Sequence, residues 1–160
     1  MKLESVRSWQ IMHMENAIKS FDNLIKNASH DDLTVYRDSG EGWSVVAVLC
    51  HLRDFEEIFL QRAKLTVEQD KPDLPFPKPD DLAAERKYFE QDPQIVLDEW
   101  QAHRTLSIAY FGEREESDWE RAAIHPMRGE FTLHDQFFLV SHHDMLHMEQ
   151  ATRILLEKRP

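Results

Sequence analysis

Cysteine is nearly absent: Cys50 is the only one among 160 residues. No intrachain disulfide can form, and a reducing compartment is the expectation. Glycine is scarce too, at four residues, while Leu, Glu, Lys, Gln and Ala are abundant, a balance that favours helix. Positive charge is in deficit. The net charge is −11 with histidines neutral, which argues against a nucleic-acid-binding surface, since that needs a basic patch. The acidity is read as a source of solubility. No apolar run is long enough to span a membrane. Met1-Lys2-Leu3-Glu4-Ser5 lacks the apolar stretch of a signal peptide, so a cytoplasmic location is expected. Internal repeats and low-complexity tracts are absent as well. What remains is a chain 41% hydrophobic and 31% charged, the size of one globular domain spanning 1–160.

Four segments carry helical periodicity. The first runs from Val6 to Ala28, with Met14, Ala17, Ile18, Phe21, Leu24 and Ile25 at helical spacing. Residues 27–42 are polar and read as a connector. The second helix covers 45–66, with Ser44 as N-cap and Val48, Leu52, Phe55 and Phe59 as its apolar stripe. Residues 67–92 hold the proline-rich run Lys71 to Pro79, which cannot be regular helix; a short helix from Asp81 to Glu90 is expected. Asp92-Pro93 starts the third helix, 93–111, as N-cap and first-turn proline. Arg104 lies among its apolar residues and needs an anionic partner if buried. His125 to Phe131 reads as a turn or small hairpin. Thr132 and Asp135 form a capping box for the last helix, 133–157. Long connections let the second and third helices run parallel, so the expected fold is an all-α four-helix bundle.

The last helix contains His142, His143 and His147. Successive helical residues turn by about 100°, so His143 and His147 share a strip while His142 points elsewhere. That strip, with Gln136, Gln150 and Ile154, borders the face of Leu133, Phe137, Val140, Ala151 and Leu155. The opposite face carries Asp135, His142, Glu149, Arg153 and Glu157. Two imidazoles one turn apart can share a metal ion, although the spacing alone is not specific. Buried hydrogen bonds would satisfy the same ring nitrogens. His51, beside the stripe of the second helix, is a candidate third ligand, and His103 ranks below it. Cys50 lies about 100° from His51 on the wheel and reads as a small core residue.

In combination these pieces resemble the DinB-like superfamily. One part of the resemblance is Gly42-Trp43-Ser44 followed by a helix carrying His51-Leu52. The other is His125-Pro126-x-x-Gly129, Thr132-Leu133, and then His143-Asp144-x-x-His147-x-x-Gln150. The resemblance covers nearly the whole chain. It implies a bundle of up-down-down-up topology and a metal site of His51, His143 and His147. Characterised relatives include transferases and isomerases that use bacillithiol, mycothiol or glutathione. The family fixes no single reaction, and dimers are common among similar proteins, so a homodimer is admitted as a partner.

Three neutral imidazoles would leave a divalent ion its charge and open positions. Zinc or nickel suits such ligands best, and iron, manganese, cobalt or copper would also fit. A thiol bound there would lose its proton readily. The leading expectation is therefore a divalent-metal-dependent enzyme of the thiol S-transferase type, taking a low-molecular-weight thiol and an electrophilic small molecule. A metal-dependent hydrolase using activated water, or a non-enzymatic metal-binding or sensing bundle, are the alternatives. Metal-binding imidazoles donate their second N–H to an oxygen, which makes Asp144 and Gln150 candidate supports. For Asp144, an ion pair with Arg62 or Arg104 is an equal alternative.

Overall fold

In the computed structural model, residues 3–159 are described. Four long helices dominate: α1 (Leu3–Lys26), α3 (Val45–Glu68), α5 (Pro93–Gly112) and α6 (Leu133–Glu157). Two short helices, α2 (His30–Thr34) and α4 (Pro79–Glu85), lie in the first two connections. A two-stranded antiparallel hairpin, β1 (Ala122–His125) with β2 (Gly129–Thr132), precedes α6.

The expected caps set the helix starts. Ser44 accepts from the Ala47 N–H, and Asp92 accepts from the N–H groups of Gln94 and Ile95. Thr132 and Asp135 bond reciprocally, each side chain taking the other's backbone N–H. The connectors differ from expectation. Residues 27–42 are not featureless, because Ser29 and Asp32 form a second capping box that nucleates α2. The expected helix at 81–90 begins earlier, at Pro79, and stops at Glu85. Lys87 then turns left-handed, with φ 51°, before a single 3-10 turn at Tyr88–Glu90. That break buries the Tyr88 ring and sends its hydroxyl to the Asp54 carboxylate, 2.6 Å away.

Side-chain pairs fix the helix directions. Arg53 reaches Glu99, and the Tyr110 hydroxyl reaches the Ala63 carbonyl, so α3 and α5 run parallel. His51 meets His147, and Gln136 donates to Thr66, so α3 and α6 are antiparallel. Arg104 donates to the Met14 carbonyl and Trp100 packs on Phe21, so α1 opposes α5. The order is up-down-down-up.

Two apolar clusters fill the bundle. One gathers Phe21, Val48, Leu52, Trp100 and Ile154; the other gathers Met14, Phe55, Phe59, Phe111, Phe137 and Val140. Every residue of α3 from Val45 to Glu56 is buried, including three charged ones. Each of these is paired: Arg53 with Asp54 and Glu99, Asp54 also with Arg86, and Glu56 with Arg104. Among the described residues no helix is long and apolar enough to cross a membrane.

A candidate metal centre of three histidines

The first turns of α3 carry His51 against the middle of α6. His51, His143 and His147 each offer a ring nitrogen, and these atoms lie within 4.8 Å of one another, a group that could hold a metal ion. The Nε2 atoms of His51 and His143 are 2.9 Å apart. The ring centroids are 4.5–4.9 Å apart. Aromatic rings wall the cluster: Trp43 and Phe55 lie against His51, and Phe59 meets His143 edge-on. His51 is buried, whereas His143 and His147 are half-buried.

Hydrogen bonding fixes the tautomer of His147. Gln150 Nε2 donates to Asp38 Oδ2 at 2.9 Å, and a carboxylate can only accept. The Gln150 carbonyl oxygen therefore faces His147 Nδ1, 2.8 Å away, and that nitrogen must carry the proton. The lone pair of His147 is left on Nε2, the donor atom a metal needs. Asp38 is itself held by the Arg153 guanidinium. Arg153 also anchors to Glu149, so one chain of contacts runs from the surface to the cluster. Arg153 thus differs from the fully exposed residue the helical wheel suggests; it is half-buried because it folds over Asp38.

Burial keeps the imidazoles neutral. It lowers the His51 pKa to about 3, with the nearby His147 adding to the effect. The His143 pKa falls well below the ordinary value, through the atoms packed round its ring and then His147 and His51. His147 is lowered by burial, partly offset by Gln150. Three neutral imidazoles with ring nitrogens this close together fit a divalent ion. His51 Nδ1 is buried without a hydrogen-bond partner among the described residues.

The remaining sequence candidates are placed as follows. His142 is exposed on the outer face of α6. His103 bonds the Arg53 carbonyl and stands outside the cluster. Gln150 is hydrogen-bonded to His147. Asp144 does not turn to an imidazole; its carboxylate is taken by Arg104, with Nη1–Oδ2 at 2.6 Å and Nη2–Oδ1 at 3.0 Å. The ion pair is the alternative that holds for Asp144. Cys50 is buried, its thiol pushed up to about 12 by desolvation.

Asp38 and Arg153 are the members that periodicity could not reveal, since Asp38 lies in a loop. One signal was present. A Cβ on Gly42 would lie 2.8 Å from the Asp38 carbonyl oxygen, so only glycine lets the chain double back there. Ser39, at φ 55°, and Gly40, at φ 86°, complete the turn.

A helical bundle of this topology with three histidines on facing helices defines the class. The sequence model of the DinB superfamily matches residues 13–151, and the chain belongs to that superfamily. No curated protein matches it. Among solved structures it resembles YfiT from Bacillus subtilis, described as a probable metal-dependent hydrolase with an unusual four-helix bundle topology. That likeness has 20% identity and a TM-score of 0.88, covering 99% of this chain and 90% of that one. It also resembles a mycothiol-dependent maleylpyruvate isomerase, at 10% identity and a TM-score of 0.73, covering 94% of this chain but 61% of that one. At such identities the likeness speaks to the fold.

Proposed function

We propose that the chain is a metal-dependent enzyme whose three-histidine centre takes a low-molecular-weight thiol as co-substrate, in an S-transferase type of reaction. The supporting observation is a donor set of three neutral imidazoles with, among the described residues, no fourth histidine, cysteine or carboxylate in the group. A divalent ion held there supplies Lewis-acid charge that favours the deprotonated form of an incoming thiol or water. The chain's own residues do the rest. His51, His143 and His147 supply the ligands, and Gln150 sets the His147 tautomer. Trp43, Phe55 and Phe59 exclude water from one side. The thiol must come from outside, since the Cys50 thiol is buried and held protonated. A second reading, hydrolysis, draws on the likeness to YfiT.

Metal-loaded protein incubated with bacillithiol, mycothiol or glutathione and monochlorobimane tests the first reading. Thiol-dependent conjugation above the metal-free control is the expected result. Turnover of esters or amides without thiol, and no conjugation above the metal-free control with any thiol, would favour the second reading instead.

Gln150→Ala removes the acceptor that holds Nδ1–H of His147. Metal affinity is expected to drop about 10–100-fold, the usual consequence of losing such a support. Competition with a chromogenic chelator measures it. Unchanged affinity would show that the Asp38–Gln150 contact orders the loop and nothing more.

The pH dependence follows from the lowered histidine pKa values. Protons compete poorly for buried imidazoles, so metal affinity should hold as pH falls through ~6.5, the ordinary histidine range, and decline only below it. Stability of the metal-free fold has its own window. The unfolded chain takes up protons near ~6.5 while the folded chain resists, so stability is full above that pH and is lost progressively below it. Chelator competition and urea titrations at stepped pH check both. A binding midpoint at the ordinary histidine pKa would contradict the burial argument.

A further inference from the structure

A buried charged group lies one aromatic ring away from the histidines. Arg62 is 3% exposed. Its Nε and Nη2 both donate to one neutral oxygen, the Pro75 carbonyl, at 2.9 and 2.6 Å. The other deeply buried arginines each hold two carboxylates: Arg53 takes Asp54 and Glu99, and Arg104 takes Glu56 and Asp144. Arg62 takes none among the described residues, in a chain with 30 acidic side chains and 19 basic ones. A carbonyl satisfies the N–H groups but leaves the buried charge uncompensated.

The neighbours of Arg62 add positive character. Burial and the Arg128 guanidinium lower its pKa to about 10, and no acid counters them. His125 is buried beside it. The His125 Nδ1 accepts the Met127 N–H at 3.1 Å, so the neutral ring keeps its proton on Nε2, a donor. Both guanidiniums act on this ring electrostatically, after burial, and lower its pKa. Phe76 packs against both Arg62 and His125. Phe131 packs against His125, with Arg128 over its ring. Phe59 links this corner to the cluster: its centroid is 5.8 Å from the Arg62 guanidinium, and its ring meets His143 edge-on at 5.1 Å.

We propose that Arg62, Arg128 and the Nε2–H of His125 form a subsite for a carboxylate on the molecule that reaches the three-histidine centre. The substrate or thiol would then be an anionic small molecule, its carboxylate separated from the reacting atom by roughly the width of the Phe59 ring. This assignment rests on the metal-centre reading for the second half of the ligand. The charge pattern of the corner stands independently of it.

The test uses two thiols that differ in one group. Cobalt-loaded protein is titrated with mercaptohexanoate and with mercaptohexanol, followed by thiolate-to-cobalt absorption. With a charge-assisted contact to gain, the carboxylate should bind about ten- to a hundredfold tighter. That preference should collapse in Arg62→Met and shrink in Arg128→Gln. Arg62→Met also frees the Pro75 carbonyl, so the exposed Arg128 provides the variant that leaves the loop intact. Equal affinity for the two thiols, or a preference untouched by both substitutions, overturns the subsite while the metal reading stands. If neither thiol changes the cobalt spectrum, the thiol part of the proposed function falls and calorimetry decides the subsite. Glutarate titrated into metal-free protein should then give binding that both variants weaken. No binding overturns the proposal.

Discussion

His143→Ala is expected to lose the metal and His142→Ala to keep it. The two residues are neighbours of identical chemistry, separated only by the turn of α6. His143 faces His51 and His147, and His142 faces solvent. Four-ligand zinc sites bind with ~10–16 kcal/mol, so one ligand accounts for about 3 kcal/mol, or about a hundredfold in affinity. His51→Ala and His147→Ala should cost as much. His142→Ala removes an exposed side chain and should change stability by less than ~0.5 kcal/mol. Metal content after dialysis, with chelator competition, compares the four proteins. Metal retained by His143→Ala and lost by His142→Ala would invert the face of α6 and remove the site.

Arg104→Met should be the most destabilising single change in the bundle outside the aromatic core. Arg104 is 2% exposed and sits between the carboxylates of Glu56 and Asp144, which are also buried. Burial opposes its charge, but the two acids outweigh burial and hold the guanidinium protonated. Asp144 is under the opposite stress: burial raises its pKa to about 6 despite Arg104, and the Glu56 charge adds to the rise. Removing the only cation of this trio leaves two uncompensated acids, a loss of about 3–5 kcal/mol. Urea unfolding at neutral pH measures it. A loss under ~1 kcal/mol would mean that water or another cation reaches the two acids. Replacing the trio together, Arg104→Met with Glu56→Leu and Asp144→Leu, should restore much of the stability, because matched apolar groups need no partners.

Much of this fold was legible in the sequence because its boundaries rest on local chemistry. Ser44, Asp92-Pro93 and the Thr132–Asp135 box act within four residues, and the helices they open begin where those residues predict. The assignment of His143 inward and His142 outward needed only helical geometry. The contacts that cross the bundle were harder to see. Asp144 could have served His143 or paired with an arginine, and only packing placed Arg104 within reach of it. Asp38 lies in a loop without periodicity, 112 residues from its partner Gln150. The split of the expected 81–90 helix depended on a partner in another segment, the Asp54 carboxylate that receives the Tyr88 hydroxyl.

X-ray absorption at the zinc edge of zinc-loaded protein, recorded without added thiol, tests the central claim most directly. The arrangement of His51, His143 and His147 predicts three imidazole nitrogens at about 2.0–2.1 Å, with the multiple scattering of their rings. A sulfur at about 2.3 Å would place Cys50 on the metal. That sulfur, or a shell of oxygens without imidazole scattering, would contradict a three-histidine centre.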